Sequence, residues 1–280
     1  MIALNCAWKD LLNILPLSLR ESVDKHGRET LQELRLRRDR KAILVLRDKQ
    51  VELSHIVTHD DLQWIKNAAC QYSPWTAQSV AQGYITVQGG HRIGICGEVL
   101  NRDGEMKGIH AISSMNIRVS RDFEGICGNL WLLKENLLLL GPPGCGKTTL
   151  LRDLIRQRSR KENIAVVDER GEIFPPRSNF SSGINVDILS GCDKHRGIEM
   201  LIRTMAPACI AIDEITAEED CNSLLYAGWC GVALIATAHA ASVMDLRSRL
   251  VYKPLVTSGL FETAVVLSRD KTWKIERISL

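Results

Sequence analysis

Gly141, Gly146, Lys147 and Thr148 lie in the run LLLLGPPGCGKTTLLRDL, residues 137–154, at the spacing G-x4-G-K-[ST]. That spacing suits a polyphosphate. Glycines let a backbone curl until its N–H groups converge on one phosphate, and the start of the following helix adds a favourable dipole. Lys147 would then reach the β and γ oxygens, and the Thr148 hydroxyl would serve as a ligand to magnesium. The whole bend, Gly141, Pro142, Pro143, Gly144, Cys145, Gly146, Lys147, Thr148 and Thr149, reads as a loop for ATP with Mg2+. Cys145 is expected to be a tolerated small residue, exposed and open to alkylation.

Three further stretches end apolar runs in polar residues. ACIAIDEI, residues 208–215, delivers Asp213 and Glu214 at a strand end, where ligands of open α/β sheets bind. Asp213 is expected to hold the magnesium shell through water and Glu214 to act as general base on the attacking water. NIAVVDERGEI, residues 163–173, ends in Asp168, Glu169, Arg170 and Glu172. These form either a second acidic cluster that favours magnesium and positions water, with Glu169 ahead of Glu172, or a solvated loop with an internal Arg170 pair. GVALIATAHA, residues 231–240, ends in Thr237 and His239, placed to sense a γ-phosphate, although a histidine after a strand is commonly a plain loop residue.

Such groups need a sheet edge to hold them. From residue 137 on, strands at 137–140, 164–168, 209–213 and 232–237 are expected to alternate with helices at 147–158, 195–205, 217–228 and 242–251. That is the pattern of a parallel sheet covered by helices. Runs such as LLLL and CIAI suit strands buried on both faces. A hairpin over 262–278, turning at 269–272, closes the pattern. The earlier part is more mixed, with a helix over 7–25, short strands within 33–53, and a helix starting at Thr58, capped with Asp61 three residues on. Glycine-punctuated strands on either side of a polar turn at 101–104 follow. A smaller α+β domain, 1–128, and an α/β domain, 129–280, are the expected division.

The chain has 280 residues, which favours two cores over one. Hydrophobic residues at 45% and charged residues at 25% exclude a disordered or low-complexity chain. With 36 basic against 33 acidic residues, the net charge of +3 gives no reason to expect nucleic acid. Nine scattered cysteines without a CxxC pair suggest neither a disulfide framework nor a zinc knuckle, and a reducing compartment fits them. No apolar window reaches the length of a bilayer span, which leaves attachment to a membrane through partners open.

In order and spacing, LLGPPGCGKTTLLRDLIR, VVDERGEI, MAPACIAIDEI and GVALIATAHA, with TVQGGHRIGICGE and ISSMNIRVSRD upstream, resemble the stage III sporulation protein AA family, ATPases similar to those of type II and type IV secretion. The resemblance extends over nearly the whole chain. It implies a RecA-like P-loop NTPase domain behind the smaller α+β N-terminal domain. It also implies a ring, a hexamer of identical chains, on the cytoplasmic face of a membrane complex, here in the mother cell and peripheral to the membrane through partners. By that likeness Asp168 and Glu169 match an acidic box and His239 a histidine box. The plain Asp213-Glu214 pair departs from the secretion ATPases, so Glu169 and Glu214 both stand as candidates for activating water.

Other functions fit less well. A GTPase would need an N-K-x-D motif, which does not follow the loop, and a small-molecule kinase would need a lid, for which only 174–194 is available. A nucleic-acid-binding P-loop ATPase is the alternative from another class, drawing on the arginines of ELRLRRDRK, residues 33–41. The alternation with Leu34 and Leu36 suits instead a strand with a charged outer face. A protein that binds ATP without cleaving it is the third reading. An arginine acting on the transferred phosphate is sought among Arg118, Arg121, Arg247 and Arg249, and the sequence does not choose.

Overall fold

Alternation of buried and exposed residues marks the first part of the chain, and it folds as an antiparallel sheet. The computed structural model describes residues 3–70, 83–102 and 105–278. Two compact units make up the chain: Leu4–Asp122 with Pro175–Phe180, and Met1–Ala3 with Phe123–Phe174 and Ser181–Leu280. Short strand β1 (Ala3–Asn5) and helices α1 (Trp8–Asn13) and α2 (Leu17–Gly27) precede β2 (Leu31–Arg37), β3 (Lys41–Leu46) and β4 (Gln50–Ile56). Helix α3 (His59–Cys70) and strands β5 (Tyr84–Thr86), β6 (Arg92–Arg102), β7 (Glu105–Arg118) and β8 (Asp122–Glu124) follow. The sheet has the order β4-β3-β2-β7-β6-β5. On β2, Leu34 and Leu36 are buried while Arg37 faces outward, as a strand with one covered face requires.

The single helix expected over 7–25 is two. Pro16 has extended backbone (φ −64°, ψ 152°) at the N-cap of α2, because proline can neither donate the helical bond nor fit its ring against the preceding turn. At α3 the expected cap forms: Asp61 N–H donates to Thr58 Oγ1 at 3.1 Å, and Thr58 N–H donates to the Asp61 carboxylate at 2.8 Å. The turn expected at 101–104 includes residues 103 and 104, outside the described residues. Arg121 is half-buried and donates to the carbonyls of Leu31, Gly27 and Arg28, at 3.3, 3.4 and 2.9 Å. It is thus engaged within its own unit, which removes it from the candidates for an arginine acting on a neighbouring site.

In the other unit, continuous apolar runs become the centre of a sheet. Its strands are β9 (Leu137–Leu140), β10 (Ile164–Asp168), β11 (Val186–Ser190), β12 (Cys209–Ile215), β13 (Ala233–Ala238), β14 (Thr263–Leu267) and β15 (Trp273–Arg277), in the order β11-β10-β12-β13-β9-β14-β15. All pairings are parallel except the terminal β14–β15 hairpin. Helices α4 (Lys147–Arg158), α5 (Lys194–Met205), α6 (Glu218–Trp229), α7 (Val243–Ser248) and α8 (Lys253–Ser258) connect them. One core cluster contains Leu138, Ile210 and Ala236, and another Leu139, Ala211 and Ile235, so neighbouring residues of one strand pack on opposite faces.

Two expectations change here. The stretch 174–194 contributes an edge strand, β11, instead of the lid a small-molecule kinase would need. The helix expected over 242–251 is α7, then a 3-10 turn at Leu250–Tyr252, then α8.

Candidate nucleotide-binding site

β9 is buried along its length and ends at Gly141, where no side chain fits: a Cβ there would lie 2.5 Å from Cys145 Sγ and 2.9 Å from the Leu267 carbonyl oxygen. Gly144 and Gly146 take φ of 72° and 102°, left-handed values that curl the loop before α4 begins at Lys147. The first N–H groups of α4 have no acceptor within the helix, so they and the loop form a concave set of donors. Asp153 fixes the helix from below, accepting from Gly125 N–H at 3.0 Å and Cys127 N–H at 2.9 Å. Cys145 is 1% exposed and belongs to the core under the loop. Its expected sensitivity to alkylation is therefore withdrawn, since the curl of the loop turns its sulfur toward Gly141 and away from water.

Lys147 is buried, and burial pushes its ammonium below the ordinary lysine value. Its Nζ donates to the Gly141 and Pro142 carbonyls at 2.8 and 3.2 Å and meets His239 Nδ1 at 3.0 Å. An ammonium can only donate, so Nδ1 accepts and the imidazole proton is on Nε2. That nitrogen faces Glu214 Oε1 at 3.2 Å, and Arg170 reaches Glu214 Oε2 at 3.4 Å.

Two threonines hold the neighbouring carboxylate. Thr148 Oγ1 donates to Asp213 Oδ2 and Thr237 Oγ1 to Asp213 Oδ1, both at 2.6 Å. Glu214 N–H in turn donates to Thr237 Oγ1 at 2.8 Å. The register between β12 and β13 shifts after Ile212, and Glu214 has φ 50°, a bulge that turns its side chain away from its expected alternation. Buried Tyr252 joins the two strand ends, accepting from His239 N–H at 3.2 Å and donating to the Ile215 carbonyl at 3.3 Å.

The residues after β10 divide their roles. Asp168 is buried and accepts the N–H groups of Glu172, Ile173 and Phe174 at 2.8, 3.2 and 2.9 Å. Burial raises its pKa, against the lowering effect of those bonds. It thus organises its own loop while lining the same cavity as Asp213 and Glu214. Arg152 of α4 clasps the same loop through the carbonyls of Ile173 and Glu172. Glu169 pairs with Lys194 at 2.7 Å, and Lys194, 6% exposed, also lies 3.6 Å from Asp220. Asp220 caps the turn after β12 by accepting from Thr216 N–H at 2.8 Å and Ala217 N–H at 3.2 Å.

The structure thus gathers Lys147, Thr148, Asp213, Glu214, Thr237 and His239 at one sheet edge, and a cavity at that edge is lined by Val167, Asp168, Glu169, Arg170, Glu172, Lys194, Asp213 and Glu214. Pro143 and Gly144 are exposed on the loop, and Thr149 is half-buried as the third residue of α4. Arg118, Arg247 and Arg249 are all exposed, and Arg249 pairs with Asp245 at 3.0 Å. Lys194, Arg152 and Tyr252 escaped the sequence reading. A lysine opening a helix had a signal in the acidic groups it would have to neutralise, but the other two are defined only by partners distant along the chain.

The family described as sporulation stage III, protein AA, matches residues 7–278. Stage III sporulation protein AA of Bacillus subtilis (strain 168) is 36% identical over 94% of this chain and 91% of its own length. An uncharacterized protein, ycf45, of Cyanidium caldarium is 27% identical over 96% of this chain and 82% of its own. Among solved structures, the pilus retraction motor PilT with bound ADP superposes with a TM-score of 0.58 at 14% identity, covering 89% of this chain and 77% of that one. The ATPase DotB of Legionella pneumophila gives 0.54 at 14% identity, over 94% and 80%. The fold is that of a RecA-like P-loop ATPase.

Proposed function

The chain belongs to the sporulation stage III protein AA family, and on that premise we propose that it is a Mg2+-dependent ATPase driving a sporulation-associated membrane secretion or channel complex. It works as a ring of identical chains, a hexamer, on the cytoplasmic, mother-cell side, bound through membrane proteins of that complex. Residues 129–280 are its ATPase domain and 1–128 its N-terminal domain. Among the described residues no helix is long and apolar enough to cross a membrane, in keeping with attachment through partners. Similarity to a pilus retraction motor that binds ADP supports a nucleotide as ligand.

The observation that carries the reading is the continuous path from the loop to the two acids: Lys147 to His239 to Glu214, and Thr148 to Asp213 to Thr237 to Glu214. Lys147 exchanges its loop carbonyls for oxygens of the terminal phosphate. Glu214 accepts the proton of the attacking water as the bond between the terminal phosphorus and the bridging oxygen breaks, giving ADP and phosphate. His239 Nε2 orients that carboxylate and links it to the lysine that senses the phosphate. Thr148 Oγ1 and the Asp213 carboxylate are hard oxygen donors next to each other, a set that suits magnesium with most of its waters kept. When bound there, Mg2+ supplies neutralisation of phosphate charge. Both glutamates are ion-paired, but the Lys194 contact to Glu169 at 2.7 Å is tighter than the Arg170 contact to Glu214 at 3.4 Å, which favours Glu214 as the base.

Hydrolysis measured against protein concentration tests the proposal. The specific rate should rise as chains assemble, Lys147→Ala should lose nucleotide binding, and Glu214→Gln should bind ATP yet turn over about 100-fold more slowly, the scale for losing a general base. Loss in Glu169→Gln instead would mean that the base is Glu169. Wild-type affinity for ATP in Lys147→Ala would refute the loop assignment.

A further inference from the structure

We propose that Lys271, at the tip of the C-terminal hairpin, is a second lysine of the nucleotide site and contacts the phosphates nearest the nucleoside. The inference rests on the nucleotide-binding reading of the loop. β14 lies parallel to β9 in register from Thr263 opposite Leu137 to Val266 opposite Leu140, which brings Leu267 beside Gly141. The turn that follows therefore rises beside the phosphate loop.

That turn is built. Ser268 N–H donates to the Thr272 carbonyl at 2.9 Å and Lys271 N–H to the Ser268 carbonyl at 3.1 Å. The Asp270 carboxylate accepts Thr272 N–H at 3.1 Å and Thr272 Oγ1 at 2.8 Å. Lys271 has φ 70°, a backbone conformation for which glycine or asparagine is the unforced choice. Its ammonium donates to the Gly144 carbonyl, and its stem passes the loop so closely that a Cβ on Gly146 would lie 3.7 Å from Lys271 Cδ. Asp270, the adjacent acid, is occupied by the turn, so the positive charge is directed at the loop.

Topology decides which end of a nucleotide this lysine meets. β9 lies between β13 and β14. His239 follows β13, and Glu214 lies on β12 beyond it, so the terminal phosphate belongs on that side. Lys271 comes from the opposite side of β9 and faces the other end of the chain of phosphates. Its contact is consequently common to ATP and ADP, unlike contacts that read the γ-phosphate.

Titration of the full chain with fluorescent ATP and fluorescent ADP, together with melting curves in the absence of nucleotide, tests this. Lys271→Ala should weaken both nucleotides alike by about tenfold, the scale of one charge-assisted hydrogen bond to phosphate. Lys271→Arg should retain most of the affinity, and the melting temperature without nucleotide should not move. Unchanged affinity in Lys271→Ala, a loss confined to ATP, or a lowered melting temperature that Lys271→Arg shares would each overturn the inference and leave the lysine as a clasp on the Gly144 carbonyl. Failure of Lys147→Ala to lose binding overturns the parent reading separately, and a wild-type chain that binds neither nucleotide overturns both.

Discussion

Replacing Thr237 by valine removes one hydroxyl and leaves the volume of the side chain nearly unchanged. Thr237 is 0% exposed, and its oxygen both donates to Asp213 and accepts from the Glu214 N–H. Two bonds are lost in one step, one of them to a charged group. At about 1–1.5 kcal/mol for each bond, the variant should be less stable by about 2–3 kcal/mol. For a unit of this size that corresponds to a fall in melting temperature of roughly 4–12 °C. Thr237→Ser retains the hydroxyl and loses one buried methyl, so it should cost about 1 kcal/mol. Thermal denaturation of the three proteins at one pH distinguishes the cases. Equal losses for valine and serine would show that the two bonds of the hydroxyl are worth no more than one buried methyl, and the network reasoning would be refuted. ATP hydrolysis should follow the same order, because in the valine variant Asp213 keeps only the Thr148 bond.

Lys194→Met should destabilise by about 1–3 kcal/mol, less than a fully buried pair would cost because Glu169 is one-third exposed; urea denaturation measures it. A variant as stable as wild type would show that the ion pair is idle. Brief alkylation of the folded chain followed by peptide mapping should modify exposed Cys96 and Cys230 and spare buried Cys145. Early modification of Cys145 would refute the described curl of the loop. At Asp61, burial works to raise the pKa, but the Thr58 N–H, His55 and Thr58 hydroxyl bonds outweigh it and hold the carboxyl below its ordinary 3.8. Its stabilising contribution is complete above that unfolded value and is lost as the pH falls through the lower folded one. Asp61→Asn should flatten that limb of the stability curve below about pH 4, and an unchanged limb would refute the assignment.

The α/β architecture was legible because its central strands are apolar on both faces and short, so LLLL, IAVVD and ALIATA have few other ways to be covered. β11 was not, since VDILS at the sheet edge is only partly buried and lacks the continuous apolar run of its neighbours. Pro16 carried a legible break that a periodic reading of 7–25 passed over. In the candidate site, residues displayed by consecutive strand ends could be inferred from spacing alone. The roles of Asp168 and Lys194 could not: whether an acid faces a ligand or binds its own loop depends on N–H groups four to six residues on, and on a helix that starts 25 residues later. The burial of Cys145 is hidden from the sequence for a related reason, because the curl of a glycine loop, not its composition, decides which side chains turn inward.

The left-handed backbone at Glu214 sets local preference against chemistry. A non-glycine residue in that conformation costs about 1–2 kcal/mol, and glycine would relieve it. A laboratory screen that rewarded heat resistance alone would therefore tend to discard the carboxylate proposed to activate water, and a screen that rewarded turnover would restore it. Thermal robustness and throughput are thus opposing selective pressures at this position, and attempts to harden the protein should hold residue 214 fixed.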